Sequence, residues 1–395
     1  MELSFFNVDD GYLEGICRGL RSAFLTEEDY KKLAAADSLE DLRSALEETD
    51  YGPFMQDEPL PLAVPTLSQK CREKMAAEFR YLRSQAYGPL GKFLDFIATE
   101  KMIDNVVGLI QGAINRKSAH ELLARVDPMG YFQEMAAIAN MDLTTSYEEL
   151  YRALLIDTPV GKYFQAFLAE SASQAAAHAE QGGHSLSEVA SIVSETDIEL
   201  MRNSLKKGWL EDFYAFSQSL GGTTKEVMTH ILKTEADFRV LRLVVNSLSS
   251  NQQQQMDRQA LYPSFGYLYP EGTDGLRKAW NDSTVRATLA PYSNYLNLYE
   301  QCKSFYVGQE GQGNEAAADL ASSSKFKSLE DLLYNETANM CELAFEQQFH
   351  YGIYYAWVKL KEQEIRNIVW IADMILMKRK EFISDQIVPL FLPRV

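Results

Sequence analysis

Thiols are sparse in this chain: four cysteines in 395 residues, at Cys17, Cys71, Cys302 and Cys341, with no C-x-x-C pair among them. That spacing excludes a disulfide framework and a thiolate zinc site, and it suits a reducing compartment. Histidine is equally thin, five in all, and no two stand at i and i+4 with acids placed to hold a metal. Positive charge is in deficit. Thirty-eight Lys and Arg face 56 Asp and Glu, a net charge of −18, so nucleic acid and anionic membrane surfaces repel the chain as a whole. Long apolar runs are missing too. A bilayer span takes roughly 18 apolar residues, and the best stretch here, "NIVWIADMILM" at 367–377, is short and carries Asp373. The opening "MELSFFNVDDGYLEG" has early acids and no long apolar centre, unlike a secretory signal.

The residue patterns of the common enzyme classes are absent as well. No Gly-rich loop ends in Gly-Lys-Ser/Thr; "GGTTK" at 221–225 lacks both the spacing and the Gly-Lys pair. "GQEGQG" at 308–313 follows no strand, which removes a dinucleotide reading. There is no G-x-S-x-G elbow and no cysteine beside a basic residue at a helix start. His120 in "HELLA" has no second histidine one turn on, and His178 and His184 fall in a polar, Ala-rich segment. Acidic pairs such as Glu211 and Asp212 read as a solvated helix face. With so negative a chain, the 21 tyrosines and 20 phenylalanines read as core and interface residues rather than base-stacking platforms. The expectation is an interaction protein with no catalytic residue, no cofactor and no metal.

What the chain does have is helix. Apolar residues recur at three- and four-residue steps nearly throughout, and alternating β-branched runs are missing. Residues 169–190 and 308–325, rich in Ala, Ser, Gln and Gly, read as flexible surface insertions, and 249–257 as a short linker. Residues 53–65, with four prolines, read as an extended connection. The basic "KRK" at 378–380 reads as a solvated helix end favoured by the helix dipole. "SLEDL" occurs at 38–42 and again at 328–332, with "SYEEL" at 146–150. Each opens with a capping-box pair, Ser38 with Asp41, Ser146 with Glu149 and Ser328 with Asp331, and Ser185 with Glu188 makes a fourth. Those letters alone fit either separate helix starts or an internal repeat.

Three long helical stretches, 92–113, 227–248 and 354–375, favour the repeat. Setting Ile103, Phe238 and Ile365 in one slot aligns three apolar stripes. They run Phe96 to Ala113, Val227 to Leu248 and Tyr354 to Ile375. Each stripe is interrupted once in the same slot, by Thr99, Thr234 and Lys361. Glutamate follows each time: Glu100, Glu235 and Glu362. One place past the reference slot stand Asp104, Arg239 and Arg366. Burial requires an apolar stripe; it does not require the interruption and the glutamate to keep register. The expectation is an all-α protein of three related helical modules about a pseudo-three-fold axis, approximately 1–116, 117–250 and 251–395 within a single domain.

Ordered along the chain are "FNVDDGYLEGICRGLRSAFLTEEDYKKL", "TDYGPF", "MIDNV", "DPMGYF", "IDTPVGKYF", "RNSLKKGWLEDFY", "EADFR", "LYP" and "AWVKLKEQEIRNIVWIAD". Together these resemble the subunit d family of rotary vacuolar-type proton-pumping ATPases, related to the C subunit of archaeal and bacterial rotary ATPases. The resemblance covers nearly the whole chain. The departures are 169–190, 308–325 and the longer tail "QIVPLFLPRV". It implies a funnel-shaped subunit without catalytic chemistry, held on the cytoplasmic face of vacuolar or endosomal membranes by other subunits. The implied partners are the proteolipid (c) ring, the central-stalk subunits D and F, and subunit a. The role implied is to couple the turning stalk to the ring during organelle acidification. A free-standing helical adaptor at a membrane surface is the alternative. If the three long helices line a central cavity, Thr99, Glu100, Asp104, Thr234, Glu235, Arg239, Lys361, Glu362 and Arg366 converge near the axis. They then form either a socket for the stalk or ion pairs that lock the modules together.

Overall fold

The computed structural model describes all residues except 1, 57, 60, 116, 137–157, 168, 170–194, 249–257, 311–327 and 392–395. Among the described residues there is no strand, and the all-α expectation holds. Six helices carry the architecture around the site: α1 (Val64–Gln85), α2 (Gly88–Ile114), α3 (Glu195–Leu220), α4 (Gly222–Ser247), α5 (Leu329–Ala344) and α6 (Gly352–Leu376). The three expected stretches are α2, α4 and α6. They form serial pairs with short breaks. Between α3 and α4 the break is a single residue, Gly221, whose φ of 69° is a conformation glycine enters without steric cost. No helix among the described residues is long and apolar enough to cross a membrane.

Capping chemistry accounts for two of the repeated pentapeptides. The Ser38 and Ser328 side chains each accept from the backbone N–H three residues on, while Asp41 and Asp331 return the bond. The pairs at Ser146 and Ser185 lie outside the described residues, as do the linker 249–257 and nearly all of 169–190. The helix Ser293–Glu310 runs through the first residues of the expected insertion 308–325, whose remainder is likewise outside. The proline-rich connection is shorter than expected. Gly52–Met55 forms a helical turn with Pro53 at its start, and α1 begins with Pro65 in its first turn. Proline fits there because the first helical N–H groups need no intrahelical partner. "KRK" is not merely a solvated end: α6 stops at Leu376, and Lys380 donates to Ala35 O and pairs with Asp37.

The long helices close a circuit. Helix α2 packs on α3, α3 on α4, α4 on α5, α5 on α6, and α6 returns to α2, with α1 packed outside α6. Aromatic residues weld the α2–α3 contact. Phe96 and Phe213 stack with centroids 5.2 Å apart, and Trp209 Nε1 donates to Phe96 O at 2.7 Å. Between 127 and 130 the chain returns to α2, where the Asn105 amide holds Asp127 through both its N–H and its carbonyl, at 2.8 and 3.0 Å. A Cβ on Gly130 would lie 2.4 Å from the Lys101 carbonyl carbon and 2.6 Å from Met102 N, so only glycine admits this approach. Asp237, fully buried in α4, organises the loop at the "LYP" stretch by accepting from Tyr267 N, Leu268 N and the Tyr295 hydroxyl.

Helix α6 is buried on nearly all sides. The helices Gly11–Gly19, Glu27–Ala35 and Leu39–Glu47 cover its outer face. Within that contact Lys361 and Glu364 pair at 2.8 Å, both essentially without solvent exposure. Glu364 also accepts from Leu25 N at 2.6 Å and the Tyr51 hydroxyl at 2.7 Å, and Lys361 donates to Ala23 O at 2.8 Å. A buried pair survives only when its remaining hydrogen-bond capacity is filled, and here the N-terminal layer fills it. Replacing Glu364 with Ala strands the Lys361 ammonium and is expected to cost about 3–5 kcal/mol. The double variant Lys361→Met/Glu364→Leu is expected to be clearly milder. Denaturant unfolding of the two proteins decides: equal destabilisation would show that the N-terminal layer does not depend on the ion pair.

Candidate functional site

The helix circuit encloses a polar cavity of roughly 620 Å³ walled by α2, α3, α4, α5 and α6. Its lining carries eight Lys or Arg side chains against six carboxylates, a formal excess of two positive charges within a chain of net charge −18. Helical geometry explains how α6 supplies this wall and the outer contact at once. At about 100° per residue, Lys359, Glu362, Gln363 and Arg366 fall within an arc of roughly 100°, whereas Lys361 lies about 150° from its centre. The first group lines the cavity, and Lys361 faces the N-terminal layer.

The same logic separates the nine residues singled out from the sequence. Glu100, Asp104, Glu235, Arg239, Glu362 and Arg366 line the cavity. Thr99, Thr234 and Lys361 do not, because the slot that interrupts each stripe belongs to the face packed in the core. Thr99 is buried and donates to its own helix at Asp95 O, and Thr234 meets the Tyr295 hydroxyl. Convergence therefore applies to the glutamate one residue on and to the position four residues beyond that. It does not extend to the interruption itself.

Ion pairs across the cavity join helices distant in sequence. Glu100 of α2 accepts from Lys359 of α6 at 2.8 Å and lies 3.8 Å from Arg239 of α4. Lys101 of α2 pairs with Glu362 of α6, and Lys206 of α3 with Asp104 of α2 at 2.7 Å. Arg242 of α4 pairs with Glu330 of α5 at 3.1 Å and approaches Glu235. Burial pushes the Glu100 carboxyl up, but Lys359, Lys101, Lys206 and Arg239 outweigh it and hold its pKa well below the usual carboxylate range. Burial likewise opposes the charged forms of Lys359 and Glu362. For Lys359, Glu100 leads the neighbours that reverse the effect, raising its pKa; for Glu362, Lys101 and Lys359 do so, lowering it. Lys206 differs. Burial prevails over Asp104 and Glu100, and its pKa is lowered. No group of three or more His, Cys, Asp or Glu able to hold a metal occurs among the described residues.

Several lining residues carry no mark in the stripe alignment: Lys101, Lys206, Lys207, Arg242, Glu330 and Lys359. The spacing 359, 362, 366 is a helical one and leads to Lys359 once Glu362 is placed. Glu330 is the middle residue of the second "SLEDL", whose counterpart Glu40 is exposed to solvent. Helix α3 enters the cavity through "KK" at 206–207, which no apolar stripe points to.

Linkage fixes the sign of the expected acid response. Glu100 and Glu362 have folded pKa values below their unfolded ones. Each therefore favours folding at pH above an ordinary carboxylate pKa of about 4.3, and that contribution is lost as the pH falls through the folded value. Glu100→Gln, which leaves Lys359 and Arg239 facing a neutral amide, is expected to lose about 3 kcal/mol at neutral pH. Below about pH 4.3 its stability should fall less steeply than that of the unaltered chain. Urea unfolding at a series of pH values measures both effects, and parallel profiles would remove Glu100 from the acid response.

Comparison with known proteins places this architecture. The family model described as ATP synthase (C/AC39) subunit matches residues 13–386. The V-type proton ATPase subunit d of Dictyostelium discoideum is 39% identical over 386 residues, covering 98% of this chain and 96% of that protein. The proteins of the same name from Neurospora crassa and Saccharomyces cerevisiae are 38% and 35% identical, each aligned over 98% of this chain and 99% of their own length. With similarity running end to end, the chain belongs to the ATP synthase (C/AC39) subunit family.

Proposed function

We propose that this chain is a non-catalytic subunit of a rotary vacuolar-type proton pump, in the part its relatives' name, V-type proton ATPase subunit d, gives them. The observation that carries this reading is the similarity to those relatives over 98% of this chain and 96–99% of their own length. In this role it couples the central rotor stalk to the proteolipid ring, so that ATP hydrolysis elsewhere in the complex drives proton transport. Its partners are the proteolipid (c) ring, the central-stalk subunits D and F, and subunit a. It sits at the cytoplasmic face of vacuolar or endosomal membranes, held there by those subunits.

A coupling part that transmits torque needs stiffness more than chemistry, and two features support that. The long helices close on themselves, and charged pairs bridge α2 to α6, α2 to α3 and α4 to α5. The pairs α1/α2, α3/α4 and α5/α6 are the cores of the three modules, 1–116, 117–250 and 251–395, of a funnel about a pseudo-three-fold axis. Its central cavity is the socket for the stalk. In that socket Glu100, Asp104, Arg239 and Glu362 serve mainly as ties between modules, because each faces an opposite charge on another long helix, while Glu235 pairs with Arg239 and Arg242 of its own helix.

Affinity capture of the tagged full-length chain from detergent-solubilised membranes tests the role. Proteolipid and central-stalk subunits are expected to co-purify together in fixed proportion. Capture of membrane or cytoskeletal proteins without them would favour the free-standing helical adaptor instead.

A further inference from the structure

Two cations in the cavity differ from the rest. Six of the eight basic side chains in the lining lie within 4.0 Å of a carboxylate: Lys101, Arg202, Lys206, Arg239, Arg242 and Lys359. Lys207 and Arg366 have no carboxylate partner among the described residues. The Lys207 ammonium, on α3, is held at 2.7 Å by the carbonyl of Ala260. Arg366, on α6, is exposed; its guanidinium lies 3.4 Å from the centroid of the Tyr334 ring, and its Nη1 donates to the Gln363 amide oxygen.

That posture is one of readiness. Stacking on Tyr334 and the bond to Gln363 hold a planar fork in place while leaving its other N–H groups for a further acceptor, and a carboxylate matches that fork with two parallel bonds. Lys207 contributes a second positive point on another wall of the same cavity. These two residues account for the formal excess of two positive charges in the lining.

The geometry points to an acidic partner segment as the occupant of this cavity: a protein end that presents at least two carboxylates, one to Arg366 and one to Lys207. The inference rests on the stalk reading above and names the chemistry of the stalk's end. The chain as a whole carries a net charge of −18, which disfavours acidic partners, so a recess with two uncommitted cations gives both attraction and position at one place. A multiply phosphorylated small ion fits less well. It would bring more negative charge than two uncommitted cations neutralise, into a lining that holds six carboxylates of its own. The division of labour is then clear: the six paired cations keep the wall together, and Lys207 and Arg366 reach the partner.

The test uses the full-length chain and the purified central-stalk complex of the same pump, with binding measured by interferometry across a range of salt concentrations. Association of the unaltered proteins should weaken as salt rises. Lys207→Glu and Arg366→Glu should each weaken it on the order of tenfold, with the double variant weaker still. The melting temperature should hardly move, since neither residue pairs with a buried acid. Lys207→Gln and Arg366→Gln serve if a reversed charge disturbs folding. Substituting lysine for acidic residues at the stalk's end should restore binding to the doubly reversed chain. Binding that is indifferent to salt and to both substitutions overturns the acidic occupant while leaving the stalk reading intact. Saturable binding of inorganic tripolyphosphate that needs these two residues, with stalk binding unchanged, overturns it in favour of a phosphate site. No association of the unaltered proteins at all overturns the stalk reading, and the inference with it.

Discussion

Helix α6 is buried nearly all round, yet it carries charged side chains on two opposed faces, and each face must find its counter-charges in a different part of the chain. On one side Lys359 and Glu362 meet Glu100 and Lys101 of α2; on the other Lys361 and Glu364 are completed by Tyr51, Leu25 and Ala23 of the N-terminal layer. The Lys361–Glu364 pair, shut off from water, is tolerated only in a complete set, and the cavity-side charges of Lys359 and Glu362, mostly buried, are each matched by an opposite charge. The position and rotation of α6 are thereby set from both sides, and the neighbouring helices are set relative to it.

The cavity follows from that constraint. Apolar packing alone would bring the long helices together as closely as their side chains allow. Here α2, α3, α4, α5 and α6 present charged positions toward a common space, and long side chains in opposite-sign pairs span it. The space stays polar and open because closing it would desolvate fourteen ionisable groups at once.

Family resemblance and physical reading meet in the same residues. "DPMGYF" and "MIDNV" are distant in sequence but touch through Asn105, Asp127 and Gly130, directly behind Lys101. "TDYGPF" and "KEQEIRN" meet where the Tyr51 hydroxyl reaches Glu364. "EADFR" holds the loop at "LYP" through Asp237. Each block reads as half of a contact whose other half lies elsewhere in the chain.

Some of this was legible in the letters alone. The all-helical class, the three long stretches and the capping boxes at Ser38 and Ser328 follow from local rules: apolar spacing along one face and the chemistry of a helix's first turn. The register shared by Glu100, Glu235 and Glu362 also followed from spacing, since a fixed offset from a buried stripe fixes a direction around the helix. Direction is all that spacing carries. It does not say which face of α6 meets the N-terminal layer and which the cavity, so Lys361 looked equivalent to its neighbours while lying opposite to them. Nor does it announce Lys206, Lys207 or Glu330, which enter the site from α3 and α5, helices without a marked stripe whose rotation is set by long-range packing. Helix formation is a contest among near neighbours in sequence and can be read there. The partner of a charge is decided by what the closed circuit of helices brings within a few ångströms, and only the tertiary structure holds that information.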